Sequence, residues 1–191
     1  RLLLATGGRP RRLPFGGDDI IYYRTLADYR RLRELALERR RFTVIGGGFI
    51  GSEIAAALAM NGREVTMLFP EEGLGAALFP PDVSRFLNGY YREQGVDVRG
   101  GEFVADVEPR GDGYAVHTKG GLVLETDAVV AGIGIQPNVE LAEEAGLEVD
   151  NGIVVNAHLQ TTVPDIYAAG DVARFYSPIL GQRMRVEHED N

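Results

Sequence analysis

"FTVIGGGFIGSEIAAALAMNGREVTMLFPEE", Phe42 to Glu72, carries the pattern on which the fold turns. It opens on "FTVIG", an apolar run of the length and β-branched content of a buried strand. Gly46, Gly48 and Gly51 follow as G-x-G-x-x-G, and small and apolar residues continue as a helix from about Phe49 to Met60. An "NG" pair marks a turn, and "EVTMLF" reads as a second strand. The order is strand, helix, strand. Both strands are apolar enough to be covered on two faces, as in a parallel sheet.

Glycines at the point where a strand becomes a helix have separate tasks. The first permits a tight turn, the second lets the backbone approach a pyrophosphate, and the third lets helix and strand pack closely. Gly47 and Ile50 lie in the same turn. The unpaired N–H groups and the positive dipole end of the helix then face the phosphates, so a dinucleotide site is predicted. Glu71 and Glu72 stand about 20 residues beyond the last glycine, where a carboxylate accepts hydrogen bonds from the adenine ribose and repels a 2′-phosphate. Glu71 is the better placed, which favours NAD over NADP. Two solvated loop acids are the competing reading, and Arg63 just before the strand weighs toward NADP.

Composition narrows the function classes. An apolar share of 45% suits a folded globular chain, and the longest apolar runs are too short to cross a bilayer. With no charged-then-apolar leader at its start, a cytoplasmic protein is expected, away from membranes. The absence of cysteine excludes thiolate metal sites and dithiol chemistry carried by these residues. A formal charge of −8 disfavours nucleic acid. Eleven of the 20 basic residues nevertheless lie between Arg1 and Arg41, as a solvated helix face or as a docking surface for an acidic partner.

Outside the glycine unit, "LLLA" at 2–5 reads as a strand, 6–17 as loop, and 25–40 as a helix capped by Thr25. Pro81 starts another helix, to about Gln94, and "VDV" is a third parallel strand. Segments 102–108, 113–118 and 121–125 alternate between turns as an antiparallel meander does. "DAVVAGIG" returns to the sheet, and "IQPN" leads into a short helix. The fold class expected is α/β, a Rossmann-like parallel sheet with an antiparallel three-stranded meander.

"ATGGRP" at 5–10, "GIGIQPN" at 132–138 and "TTVPDIYAAGDV" at 161–172 remain to be explained. With the glycine loop, in this order and spacing, they resemble the FAD-dependent pyridine-nucleotide oxidoreductases. "GGGFIGSE", "LFPEEG", "PNVELAEEAGLEVD", "GDVARFYSPILG" and "RVEHED" are similar to the branch containing apoptosis-inducing factor and the ferredoxin reductases. The resemblance implies that 1–23 ends a first FAD-domain segment, 24–40 is a connecting helix, 41–150 is the NAD(H)-binding domain, and 151–191 begins a second FAD segment. It implies FAD and NAD(H) as cofactors, with NADH and an electron-acceptor protein such as a ferredoxin as partners. Homo-oligomerisation stays open.

The same resemblance assigns residues. Asp171 would hydrogen-bond the flavin ribityl chain beside Gly170, with Thr6 and Gly7 at the edge of the FAD segment. Gly134 and Pro137 would line the nicotinamide side. Phe49 would gate the nicotinamide and Glu53 would meet its carboxamide; their i, i+4 spacing puts both on one helix face. A core aromatic and a carboxylate favoured by the helix dipole are the rival readings. Glu187 and His188 would lie near the flavin, although Glu189, Asp190 and Asn191 depart from the family pattern there.

The implied reaction is hydride transfer from nicotinamide C4 to flavin N5, with the protein positioning two rings at about 3–3.5 Å. The chain reads as a piece of such a protein, and weak NAD(H) binding, no stable FAD and no turnover are expected of it alone. Two other readings stay open: a NAD-responsive signalling or scaffolding module, and a flavin-dependent disulfide reductase whose cysteines lie outside this sequence.

Overall fold

The computed structural model describes residues 1–187. Contacts divide the chain into two compact units, residues 10–134 and residues 1–9 with those from 135 onward. The larger unit holds the glycine unit together with residues 10–40.

The larger unit is built on a five-stranded parallel sheet. Its order is Ile20–Tyr22, Ala128–Ala131, Arg41–Ile45, Glu64–Phe69 and Val96–Gly100. Successive side chains point to opposite faces, and both faces are filled. Phe42, Val44, Val65, Met67, Phe69, Val96, Val98 and Val130 face helices. Ile45, Leu68, Val129 and Ala131 face the meander and pack on its Val107 and Val116. Met67 and Leu68 are both fully buried, on opposite faces, which is why the strands read as continuous apolar runs. Truncation of Met67 to Ala would cost about 2–5 kcal/mol.

Three helices accompany the sheet: α1 (Leu26–Glu38), α2 (Phe49–Met60) and α3 (Pro81–Glu93). A capping box starts α1, with Asp28 N–H donating to Thr25 Oγ1 at 3.2 Å and Thr25 N–H to Asp28 Oδ2 at 2.7 Å. Pro81 occupies the first turn of α3, where its missing N–H goes unmissed. The meander is Val104–Arg110, Gly113–Thr118 and Val123–Thr126, antiparallel throughout. These elements agree with the sequence reading to within a few residues. The edge strand Ile20–Tyr22 was not anticipated.

In the other unit, Leu2–Leu4 pairs in parallel with Ile166–Ala168. Ile153–Val154 pairs with Ala173–Ser177, which also pairs with Gln182–Met184. Leu4, Ala142, Leu147, Ile153, Ala168 and Val172 form its core. Two loop expectations need correction: Gly8–Pro10 and Ile135–Pro137 are short strands that pair with each other. Sequence patterning misses them because each is three residues long, too short to show a period. No helix among the described residues is long and apolar enough to cross a membrane.

Candidate functional site: the glycine loop at the sheet's switch point

From strand Arg41–Ile45 the chain builds the sheet outward to one side through Glu64–Phe69 and Val96–Gly100, then returns on the other side as Ala128–Ala131. The connections therefore part at the carboxyl ends of Arg41–Ile45 and Ala128–Ala131. In open α/β sheets that crevice is where ligands bind. Gly46–Gly51 leaves the first strand there and Gly132–Gly134 leaves the second.

The four glycines differ in what the surrounding protein demands of them. Gly46 has φ +114°, and a Cβ on it would collide with the carbonyl oxygen of Gly132. A Cβ on Gly51 would collide with the carbonyl oxygen of Gly46, so α2 can cross its strand this closely only with glycine. At Gly47 a Cβ would stand 2.9 Å from the buried ring of Phe69. Gly48 differs from all three, because its Cβ would meet no protein atom within 4 Å and its φ is an ordinary −82°. Protein packing asks for glycine at three of these positions and not at Gly48, the position whose backbone would approach a pyrophosphate.

Gly48 is also the N-cap of α2, with no side-chain cap and no acidic residue in the first turn. The early N–H groups of this 12-residue helix therefore have no side-chain acceptor at the cap, and the positive end of its dipole is not neutralised from within. The hydroxyl of Ser52, one turn into the helix, donates to Gly48 O at 2.7 Å. A pyrophosphate fits this donor set.

Phe49 and Glu53 are both exposed on α2, and Phe49, at 60% exposure, is no core aromatic. Ile50 is half-buried against the core. Tyr91 reaches the same helix, donating to Ser52 O at 3.2 Å; burial, and to a lesser extent the Glu53 charge, raise its pKa above the usual 10.0. Glu71 is exposed beyond strand Glu64–Phe69, while its carbonyl accepts from Gly101 N–H at 2.9 Å. Asn88 is the residue that sequence reading missed here: buried, it accepts from Leu74 N–H at 2.9 Å and donates to Glu72 O at 3.0 Å. Arg63 stands at the opposite end of the strand, its guanidinium donating to the carbonyls of Asn61 and Arg39. It therefore stands away from Glu71, which lies beyond the strand's other end. Gly134 has φ +89° and its carbonyl accepts from Arg11 N–H at 3.0 Å.

The residues expected around FAD, and Pro137, lie in the other unit. Thr6 donates its hydroxyl to Asn138 O at 2.6 Å, and Asn138 returns bonds to Thr6 O and, from its backbone N–H, to Gly7 O. Asn138 thus ties the Thr6–Gly7 element to the buried Pro137, a link across 131 or more positions that no local pattern announces. Glu140 beside it is ion-paired with Arg9; its own backbone N–H, then Arg9, hold its carboxyl below the usual range. Gly170 adopts φ +72° ahead of the half-buried Asp171. Arg185, also missed, bonds the carbonyls of Asn151 and Asp171 at 3.1 Å each and pairs with Glu187 at 2.7 Å. His188 lies outside the described residues.

Residues 1–188 match the family model described as pyridine nucleotide-disulphide oxidoreductase. The whole chain is 43% identical over 200 residues to putidaredoxin reductase CamA of Pseudomonas putida, covering 47% of that protein. It is 41% identical over 191 residues to the ferredoxin–NAD(+) reductase component of the anthranilate 1,2-dioxygenase system of Burkholderia cepacia, with 98% of the chain and 47% of the relative aligned. The crystal structure of the covalent putidaredoxin reductase–putidaredoxin complex superposes with a TM-score of 0.95 at 43% identity, over 100% of this chain and 48% of that one. The chain spans about half the length of the curated relatives it matches. It belongs to the pyridine nucleotide-disulphide oxidoreductase family.

Proposed function

We propose that this chain is the NAD(H)-binding part of an FAD-dependent oxidoreductase that takes hydride from a reduced nicotinamide nucleotide to flavin and passes electrons to a downstream acceptor. One observation carries the reading: α2 begins at Gly48 without a side-chain cap, at the switch point of the sheet. When bound, the two cofactors supply the hydride donor and acceptor. The chain's residues supply placement. The α2 N–H groups hold the pyrophosphate, Glu71 takes the ribose hydroxyls, and Phe49 and Glu53 address the nicotinamide from one exposed helix face. With Glu71 at the ribose and Arg63 committed elsewhere, NADH is preferred to NADPH. Gly170 and Asp171, in the other unit, are assigned to FAD.

A ferredoxin-type protein is the acceptor class we propose, on the strength of relatives that are a ferredoxin–NAD(+) reductase component and a reductase solved in complex with putidaredoxin. A cytoplasmic location is proposed with it. Titration of the purified protein with NADH and NADPH, followed by nicotinamide fluorescence, tests the reading. Saturable NADH binding that is weaker for NADPH supports it; no binding of either would overturn it.

A further inference from the structure

Phe79 lies in the loop between strand Glu64–Phe69 and α3, and no motif points to it. Its ring meets that of Phe49 edge to face, with centroids 6.2 Å apart and planes at 83°. At 37% exposure it is covered from below by Gly75, where an added Cβ would stand 2.5 Å from the Phe79 ring. Gly75, at φ +66°, donates its N–H to the carbonyl of Gly47 at 2.8 Å and accepts from the N–H groups of Leu78 and Phe79 at 2.8 Å each. The next residue back, Leu74, is held by Asn88. Phe79 is therefore fixed to the glycine loop's own backbone, while Phe49, at the first position of α2, stands 60% exposed.

We propose that Phe79 is a positioning residue for the nicotinamide end of the bound nucleotide, acting through Phe49. The inference rests on the NAD(H) reading above. A phenylalanine exposed at a helix start has several staggered orientations available. An edge-to-face partner anchored through Gly75 selects among them before the nucleotide arrives, which removes an ordering cost from binding. A contact of this kind is worth roughly a 3- to 10-fold change in affinity.

The experiment compares NADH with ADP-ribose, which keeps the adenine, both riboses and the pyrophosphate but lacks the nicotinamide. Affinities are read by NMR-detected titration of the 191-residue protein and its Phe79→Ala, Phe79→Leu, Phe79→Tyr, Phe49→Ala and double Phe49→Ala/Phe79→Ala variants. Phe79→Ala is expected to weaken NADH by roughly 3- to 10-fold and leave ADP-ribose unchanged, with Phe79→Tyr like the parent. In the Phe49→Ala background the second substitution is expected to add nothing. Equal losses for NADH and ADP-ribose, or losses that add in the double variant, would overturn the inference while leaving the NAD(H) reading standing. Should the parent protein bind neither probe, that reading falls and takes this one with it. If Phe79→Ala fails to fold, the Phe79→Leu and Phe79→Tyr pair decides on the same criteria.

Discussion

The carbonyl oxygen of Gly132 occupies the place that a side chain on Gly46 would need. Two strand ends more than 80 positions apart are thereby pressed backbone to backbone at the mouth of the crevice. Gly46→Ala adds this collision to a φ of +114°, so a loss of about 3 kcal/mol and a fall in Tm on the order of 10 °C are expected. Gly48→Ala is the contrasting case. Its methyl meets no protein atom, and alanine's weakness as an N-cap is offset by the smaller entropy of the unfolded chain. Its Tm is expected to hold within about 2 °C while NADH affinity drops roughly tenfold or more. Thermal melts and NADH titrations on the same samples separate the two.

Glu71 is the residue we propose to set the choice of nucleotide. Glu71→Gln removes the charge that repels a 2′-phosphate and weakens the acceptor for the ribose hydroxyls. NADH affinity is expected to fall roughly tenfold, with NADPH falling less or rising. An unchanged NADH to NADPH ratio would count against Glu71, and Glu72→Gln serves as the neighbouring control.

Strand, helix and strand over 42–69 are legible in the sequence because their causes are local: glycines at a turn, a helical run of small residues, apolar strands filled on both faces. The capping box at Thr25 and the Pro81 start of α3 are legible for the same reason. What is not legible depends on residues far apart in the chain. Ile20–Tyr22 joins the sheet only because Val129 and Val130 lie beside it, and Asn138 finds Thr6 only after folding. Phe49 illustrates a further limit. Its aromatic character fits either a core or a site, and its exposure removes the core reading.

Asn88 secures the loop that carries Glu71 and Phe79. Asn88→Ala leaves the Leu74 N–H and the Glu72 carbonyl without their partner in a largely buried place, at about 2 kcal/mol. A Tm lower by roughly 4–8 °C is expected, together with weaker NADH binding from a loosened loop. Asn88→Asp keeps the acceptor for Leu74 N–H but sets a carboxylate against the Glu72 carbonyl in the same buried place, so at neutral pH it should lose at least as much as the alanine variant.

Asp127 ties the starts of two sheet strands together. Burial opposes its charge, but hydrogen bonds from the N–H and guanidinium of Arg41 and from Arg40 N–H outweigh this and hold its pKa below the ordinary 3.8. A carboxylate with a depressed pKa contributes stability that is present above its unfolded value and lost as pH falls through the folded one. Stability should therefore decline in acid below about pH 4. Asp127→Asn is expected to be less stable at pH 7 and to lose less than the parent on acidification, as read by urea unfolding at both pH values.

The amide signals of the glycine loop offer the most direct test of where the nucleotide sits. In a ¹⁵N-labelled sample titrated with NADH, the largest shifts are expected at Gly48, Phe49 and Ile50 and at Gly132–Gly134. Shifts confined to the opposite end of the sheet, in the cleft of about 350 Å³ bordered by Asp19, Arg31, Asp112 and Tyr114, with the start of α2 silent, would contradict the assignment.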